Sequence, residues 1–195
     1  MTRAALAAAT VLFATAAAWA HTVIPGISGF PGGMLHPLLV PAHALALIAL
    51  GLMTGSFAAR TQIVLLAAFA AAAAGAFVLI AMAYSAMRAD IIVLYLGATI
   101  GLLLAAQVTL PAIAAATLGA AVAGALTFDS VPPVLSVAET ATSLTGTALS
   151  ALAIVVATAL LSRALPRRIG PIAIRIAGSW IAASAILVLA LRLGS

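Results

Sequence analysis

Residues 36–55 read HPLLVPAHALALIALGLMTG, a stretch in which two histidines and two prolines open a long apolar run. The apolar character extends to the whole chain: of 195 residues, 66% are hydrophobic and 6% are charged, and the mean hydropathy is +1.35. This composition cannot give a soluble domain a polar surface, so we predict an integral membrane protein. At about 20 residues per crossing, the chain has room for roughly six or seven transmembrane helices and no separate soluble domain.

The first 20 residues, MTRAALAAATVLFATAAAWA, have the pattern of a secretory signal peptide. Arg3 precedes a short apolar core, and the segment ends in Ala-Trp-Ala, a small-x-small cleavage pattern. The alternative is a first transmembrane helix that is retained. Cleavage would make His21 the first residue of the mature chain, and residues 21–34, rich in proline and glycine, would form a periplasmic lead-in.

Six apolar segments follow, and we predict an all-α membrane protein with a bundle of six transmembrane helices over residues 35–195. Polar residues, prolines or glycines separate these segments. Pro111 suits the start of the fourth helix, because proline in the first turn loses no backbone hydrogen bond. The expected helices cover about residues 35–57, 62–84, 91–107, 111–128, 137–162 and 172–191.

The basic residues are all arginines, eight in number, and most stand at the ends of apolar segments. This spacing is typical of orientation signals and not of a phosphate-binding surface, so no nucleic-acid partner is expected. With a periplasmic N-terminus, more arginines fall in cytoplasmic loops than in outer ones, and we predict a multi-pass protein of the inner cell membrane. The predicted inner arginines are Arg60, Arg163, Arg167 and Arg168, and the outer ones are Arg88 and Arg192.

Histidine is costly within an apolar segment and is therefore a candidate functional residue there. His36 and His43 are seven residues apart, which in a regular helix gives a shared face but about 10.5 Å along the axis, too far to bind one ion together. Pro41 removes a hydrogen bond and clashes with the preceding turn, so we expect a broken helix with free backbone carbonyls. The alternative is a helix that starts at Pro37, with His36 as a cap and His43 as a packed side chain.

Three further side chains are candidate metal ligands. At a new N-terminus, the α-amine and imidazole of His21 would chelate a divalent ion, unless His21 is merely the first periplasmic residue. Glu139 begins a line of hydroxyl side chains along the fifth helix, or is only an acid favoured by a helix N-terminus. Asp129 is either a ligand or a turn or cap residue. We predict that His36 and His43 face the fourth and fifth helices and form an ion site, completed by Glu139 or backbone carbonyls.

Residues 20–55, AHTVIPGISGFPGGMLHPLLVPAHALALIALGLMTG, resemble the opening of the HupE/UreJ family of bacterial nickel/cobalt permeases. That family has a His-Thr start after its signal peptide, a Gly-Phe segment, and His-Pro-x-x-Gly-x-Asp-His in its first helix. Here Val40 replaces the glycine and Ala42 the aspartate, and the family's usual His-rich stretch corresponds to LTFDSVPPVLSVAE. The last helix, IRIAGSWIAASAILVLAL, is also similar. The positions kept are Ala20-His21-Thr22, Gly29-Phe30, Gly33, His36-Pro37, His43, Leu45-Ala46 and Gly51-Leu52.

The resemblance implies a secondary permease for a divalent transition metal ion, nickel or cobalt, which would be transported and not held as a resident cofactor. Its site would use His36 and His43 and, more loosely, His21. The alternative is a non-transporting subunit that has kept the fold, has lost metal ligands, and packs beside a membrane-protein partner or a second copy. No enzyme is expected, because the sequence has no cysteine and no hydrolytic triad, phosphate loop or redox motif. In either case the lipid bilayer is a partner.

The predicted orientation is testable with single cysteines, because the natural chain has none. Arg167→Cys, in the predicted cytoplasmic loop, should resist a membrane-impermeant maleimide in intact cells and react after permeabilisation. Arg88→Cys, in a predicted outer loop, is the matched control and should react in intact cells. Labelling of Arg167→Cys before permeabilisation would contradict the orientation.

Overall fold

A computed structural model of the chain describes residues 27–86, 88–132, 136–166 and 168–194. The predicted signal peptide and His21 lie outside these residues. Every regular element in the described part is an α-helix, which confirms the predicted all-α class. The helices are α1 (Gly29–Leu39), α2 (Pro41–Gly55), α3 (Ala59–Ala81), α4 (Ala89–Ala105), α5 (Ala112–Asp129), α6 (Val137–Ala164) and α7 (Gly170–Leu193).

Four of the described helices, α3, α5, α6 and α7, are long and apolar enough to cross a membrane, and α1 with α2 would make a fifth, bent span. Helix α4 is apolar but has 17 residues, a length of about 25 Å at the usual rise per residue. The chain therefore has the architecture of a multi-pass membrane protein. The predicted count of six crossings depends on α4 and stays a prediction.

The first helix begins at Gly29, whereas the sequence predicted a start near residue 35. Residues 29–34, which the sequence assigned to a lead-in rich in proline and glycine, belong to this helix. Pro31 lies in the first turn of α1, where backbone N–H groups have no partner within the helix, so its missing donor costs nothing. Gly29 enters the helix with a φ of +60°, a conformation that glycine adopts without strain.

Val40 separates α1 from α2 and is extended, with φ −93° and ψ 106°. Pro41 explains this conformation, since the proline ring disfavours the helical region for the residue before it. Pro41 itself begins α2, a position where its ring and missing donor are tolerated. The two helices are bent by 75° at this break. The predicted broken entry to the first span is therefore confirmed.

Helix α2 lies inside the bundle and packs against α4, α6 and α7. Around it, α3 packs against α5, α4 against α7, and α1 against α6. Leu47 and Leu50 of α2 join Val155 of α6 in the main apolar core. Other large apolar side chains face outward, such as Ile113 at 78% and Trp180 at 72% exposed. Such a surface suits lipid tails, which are as apolar as the side chains that contact them.

Two contacts between α4 and α7 involve arginines. The Nε of Arg175 donates a hydrogen bond to the Ala105 carbonyl at 3.2 Å, which places a cation at the C-terminus of α4, where the helix dipole favours it. At the opposite ends of the same two helices, Arg192 lies 3.7 Å from Asp90. Arg175 thus adds a further arginine to the end of the bundle that is predicted to be cytoplasmic.

Helix α1 contacts α6 through two glycines. A Cβ on Gly33 would collide with the Ser143 carbonyl oxygen, and a Cβ on Gly146 would collide with the Phe30 carbonyl oxygen. The two backbones therefore touch directly, as small residues allow in membrane bundles. The Thr147 hydroxyl also donates a hydrogen bond to the Gly33 carbonyl at 3.1 Å. These contacts fix the position of α1 on α6.

Gly33→Ala should push α1 away from α6 and lower the free energy of unfolding by about 1–3 kcal/mol, the usual cost of overpacking. Gly75→Ala is the matched control, because, apart from the nearby backbone of its own helix, no atom lies within 4 Å of where its Cβ would be. That control should be neutral or stabilising by up to about 1 kcal/mol, since alanine favours helix. Thermal unfolding in detergent measures both, and equal melting temperatures would contradict the close contact.

Candidate functional site

The break at Val40 brings His36 of α1 and His43 of α2 together. Their ring centroids are 5.1 Å apart, and the rings meet edge to face at 65°. A continuous helix would separate the two residues by about 10.5 Å along its axis. His43 is fully buried and His36 is partly buried. The predicted juxtaposition of the two histidines is therefore present.

His43 also contacts an acid from another helix. Its Nε2 lies 2.7 Å from Oδ2 of Asp129, whose side chain is 10% exposed. Asp129 is the last residue of α5, and Ser130 is the C-cap. Asp129 thus lies at the helix end, as the turn or cap interpretation expected, but its side chain contacts another helix. A carboxylate at a helix C-terminus is disfavoured by the dipole, so His43 is the contact that compensates its placement.

The second ring nitrogen of His43, Nδ1, is buried and has no hydrogen-bond partner among the residues that the structure describes. A neutral imidazole carries one N–H donor and one nitrogen with a free lone pair. Buried polar atoms are usually paired, and an exception needs an explanation. At this fully buried position, His43 thus has one nitrogen, Nε2, that contacts Asp129 and another, Nδ1, without a hydrogen-bond partner in the described part of the chain.

Glu139 lies elsewhere. Its carboxylate accepts hydrogen bonds from the backbone N–H of Ser136 at 3.2 Å and from the Ser136 hydroxyl at 2.8 Å. The Ser136 hydroxyl in turn accepts from the Glu139 backbone N–H at 3.3 Å. This capping box pairs backbone donors at the start of α6. Glu139 is exposed, and its role as a metal ligand stays a prediction.

The line of hydroxyls predicted to follow Glu139 is largely buried. Ser143, Thr147 and Ser150 of α6 are each at most 8% exposed. Ser143 and Thr147 lie at the contact with α1, beside Gly33. Further along α6, the Ser162 hydroxyl donates to the Leu52 carbonyl of α2 at 3.2 Å. Polar groups therefore recur along the interface between α6 and the bent first span.

Ala42 precedes His43 but faces other helices. It packs against an apolar cluster from α4 and α7 that includes Ile91, Leu94 and Leu189. Consecutive helical residues point about 100° apart, so His43 is directed away from this cluster. Position 42 is an alanine and supplies no carboxylate, so the one beside His43 comes from Asp129 of α5.

Within the described ranges, no three histidine, cysteine or acidic side chains form a group that could hold a metal ion. His36 and His43 are the candidate ligands there, with Asp129 bonded to one of them. Sequence reasoning named Asp129 but missed its pairing with His43. The available signal was topological, because the predicted start of the first helix and the end of the fourth lie on the same side of the membrane.

Comparisons with known proteins identify a family. The family model described as HupE / UreJ protein matches residues 8–188, which is most of the 195-residue chain. No curated protein matches the chain, and no solved structure matches it. The matched range includes all three histidines, Asp129 and all of α7 except its C-terminal end. On this match, the chain belongs to the HupE/UreJ family.

Proposed function

We propose that this protein is a secondary permease for a divalent transition metal ion, with nickel and cobalt as the first ions to test. The observation that carries the proposal is the 75° break at Val40, which places the His36 and His43 rings 5.1 Å apart. Imidazole nitrogen suits nickel, cobalt, copper and zinc better than it suits magnesium or calcium. Membership of a family associated with nickel and cobalt transport supports the same class of ion.

The cost of the site argues for a function. Histidine and aspartate inside a membrane bundle are expensive, and they usually mark ion or proton pathways. His43 is 0% exposed, and Asp129 is nearly as well buried. A packed apolar pair at these two positions would avoid the desolvation that both groups incur. Broken helices within a bundle are also where transporters place ion sites.

The hydroxyls along α6 suggest where an ion would pass. Ser143, Thr147 and Ser150 are buried beside the bent span, and Ser162 continues the polar line towards the far end of α2. Hydroxyl and carbonyl oxygens can replace part of an ion's hydration shell without holding it tightly. We therefore propose that ions move from the histidine pair along the interface of α2 and α6.

A non-transporting accessory subunit is the second candidate. Two observations favour it: the described residues contain no group of three metal-binding side chains, and one nitrogen of His43 is already bonded to Asp129. In such a subunit, this contact between His43 and Asp129 would only fix α5 against α2. Uptake measurements separate the two candidates.

His36→Ala should reduce uptake of the transported ion at least tenfold, because one of two imidazole ligands is lost. Uptake of nickel, cobalt, copper and zinc would be measured in cells that express the protein, at equal membrane expression. His43→Gln should have the same effect while keeping a hydrogen-bond donor for Asp129, so that the buried acid stays paired.

Asp90→Asn is the matched control for these variants, since Asp90 pairs with Arg192 on the α4–α7 side of the bundle. It should keep normal uptake. The accessory subunit would be favoured if both histidine variants show normal uptake. It would also be favoured if cells with the wild-type chain take up none of the four ions.

A further inference from the structure

We infer that Asp129 is a positioning residue: it holds the His43 imidazole with its proton on Nε2, so that Nδ1 is the atom that binds the transported ion. This inference rests on the proposed function and assigns the atoms of its site. This role differs from both roles expected from the sequence, a direct metal ligand and a turn or cap residue.

The contact between the two side chains determines which nitrogen carries the proton. An ionised carboxylate can only accept hydrogen bonds, and Oδ2 of Asp129 lies 2.7 Å from Nε2 of His43, the length of a charge-assisted hydrogen bond. Nε2 is therefore the donor. In a neutral imidazole the lone pair is then on Nδ1, the buried nitrogen without a partner in the described part of the chain.

The same arrangement is common around metal ions. A histidine that binds a metal through one nitrogen usually donates the other N–H to a carboxylate or a carbonyl, which orients the ring and makes the free nitrogen more basic. Asp129 meets the requirements for this partner, because it approaches from a different helix and its side chain is 10% exposed. Burial keeps the hydrogen bond from water and so strengthens its hold on the ring.

The position of Asp129 also limits what else it can do. It ends α5, and the hydroxyls of the neighbouring Thr127 and Ser130 are bonded back to carbonyls of their own helix. These residues thus leave the carboxylate directed to His43. Ala42, the neighbour of His43 in sequence, packs against apolar clusters and offers no ligand.

A positioning role for Asp129 also bears on which ions the site prefers. If Asp129 acts through His43, the ion meets neutral imidazole nitrogen first and a carboxylate only indirectly. Such a site favours ions that bind nitrogen, such as nickel, cobalt, copper and zinc, over the oxygen-seeking magnesium, calcium and manganese. If Asp129 bound the ion directly, the preference for nitrogen-binding ions over magnesium, calcium and manganese would be smaller.

The tautomer can be measured on the intact protein without any variant. Protein labelled with ¹⁵N in its histidine rings and purified in detergent has three histidines, and His36→Ala and His43→Gln assign their signals. At a pH where the rings are neutral, ¹⁵N shifts distinguish a protonated Nε2 from a protonated Nδ1. We expect His43 to carry its proton on Nε2.

Binding of Co²⁺ then tests the role of Asp129. Asp129→Ala should weaken Co²⁺ binding about 10- to 100-fold, the usual effect of removing the partner of a metal-bound histidine, and should let His43 populate both tautomers. Asp129→Glu should restore much of the affinity. Asp90→Asn, the matched acid on α4, should change neither readout. If Asp129→Ala fails to fold, the His43 tautomer measured in the wild-type protein still tests the inference.

A wild-type His43 protonated on Nδ1, or an unchanged Co²⁺ affinity in folded Asp129→Ala, would overturn this inference. The proposed function would survive that result if His36→Ala and His43→Gln still lose uptake. Failure of the wild-type protein to bind Co²⁺, together with normal uptake in both histidine variants, would overturn the inference and the proposed function at once.

Discussion

The arrangement of this molecule depends on one constraint: Pro41 keeps the backbone of Val40 out of the helical conformation. If residue 40 were helical, α1 and α2 would form one straight rod, and His36 would lie about two turns from His43. The break turns α1 across the bundle instead, where Gly33 and Gly146 let it contact the α6 backbone. The two histidines then meet at the corner, so one backbone conformation determines both the shape of the first span and the position of the candidate site.

The buried pair of His43 and Asp129 is the second determinant, and its energetics are finely balanced. Taking both groups out of water costs free energy that their attraction offsets only when the geometry is good. The separation of 2.7 Å meets that condition. Removal of one partner would leave the other unpaired in an apolar environment, which is the more damaging change. This asymmetry explains why a variant of His43 that keeps a donor is more informative than one that removes it.

Much of the fold could be predicted from the sequence, because helices in a membrane are long apolar runs separated by prolines, glycines and arginines. The break at Pro41 was predictable for a local reason, the clash of the ring with the preceding residue. The start at Gly29 was not predicted. Pro31 is tolerated in a first helical turn but not further inside a helix, and the sequence does not show where this first turn begins. The site was harder, because the contact between His43 and Asp129 joins residues 86 positions apart. The predicted topology put both residues on the same side of the membrane, but the contact itself depends on the packing of α5 beside α2.

The location of the histidine pair, at the corner between α1 and α2, bears on the energy source of the proposed transport. In the predicted orientation this corner lies near the outer surface, and an ion bound there would still have most of the membrane to cross. An inside-negative potential contributes about 2.3 kcal/mol per elementary charge for each 100 mV, or about 4.6 kcal/mol for a divalent ion. The membrane potential would then act on the inward movement of the ion and hardly at all on its binding at the outer site. The potential alone would drive accumulation, and the affinity of the outer site would stay constant.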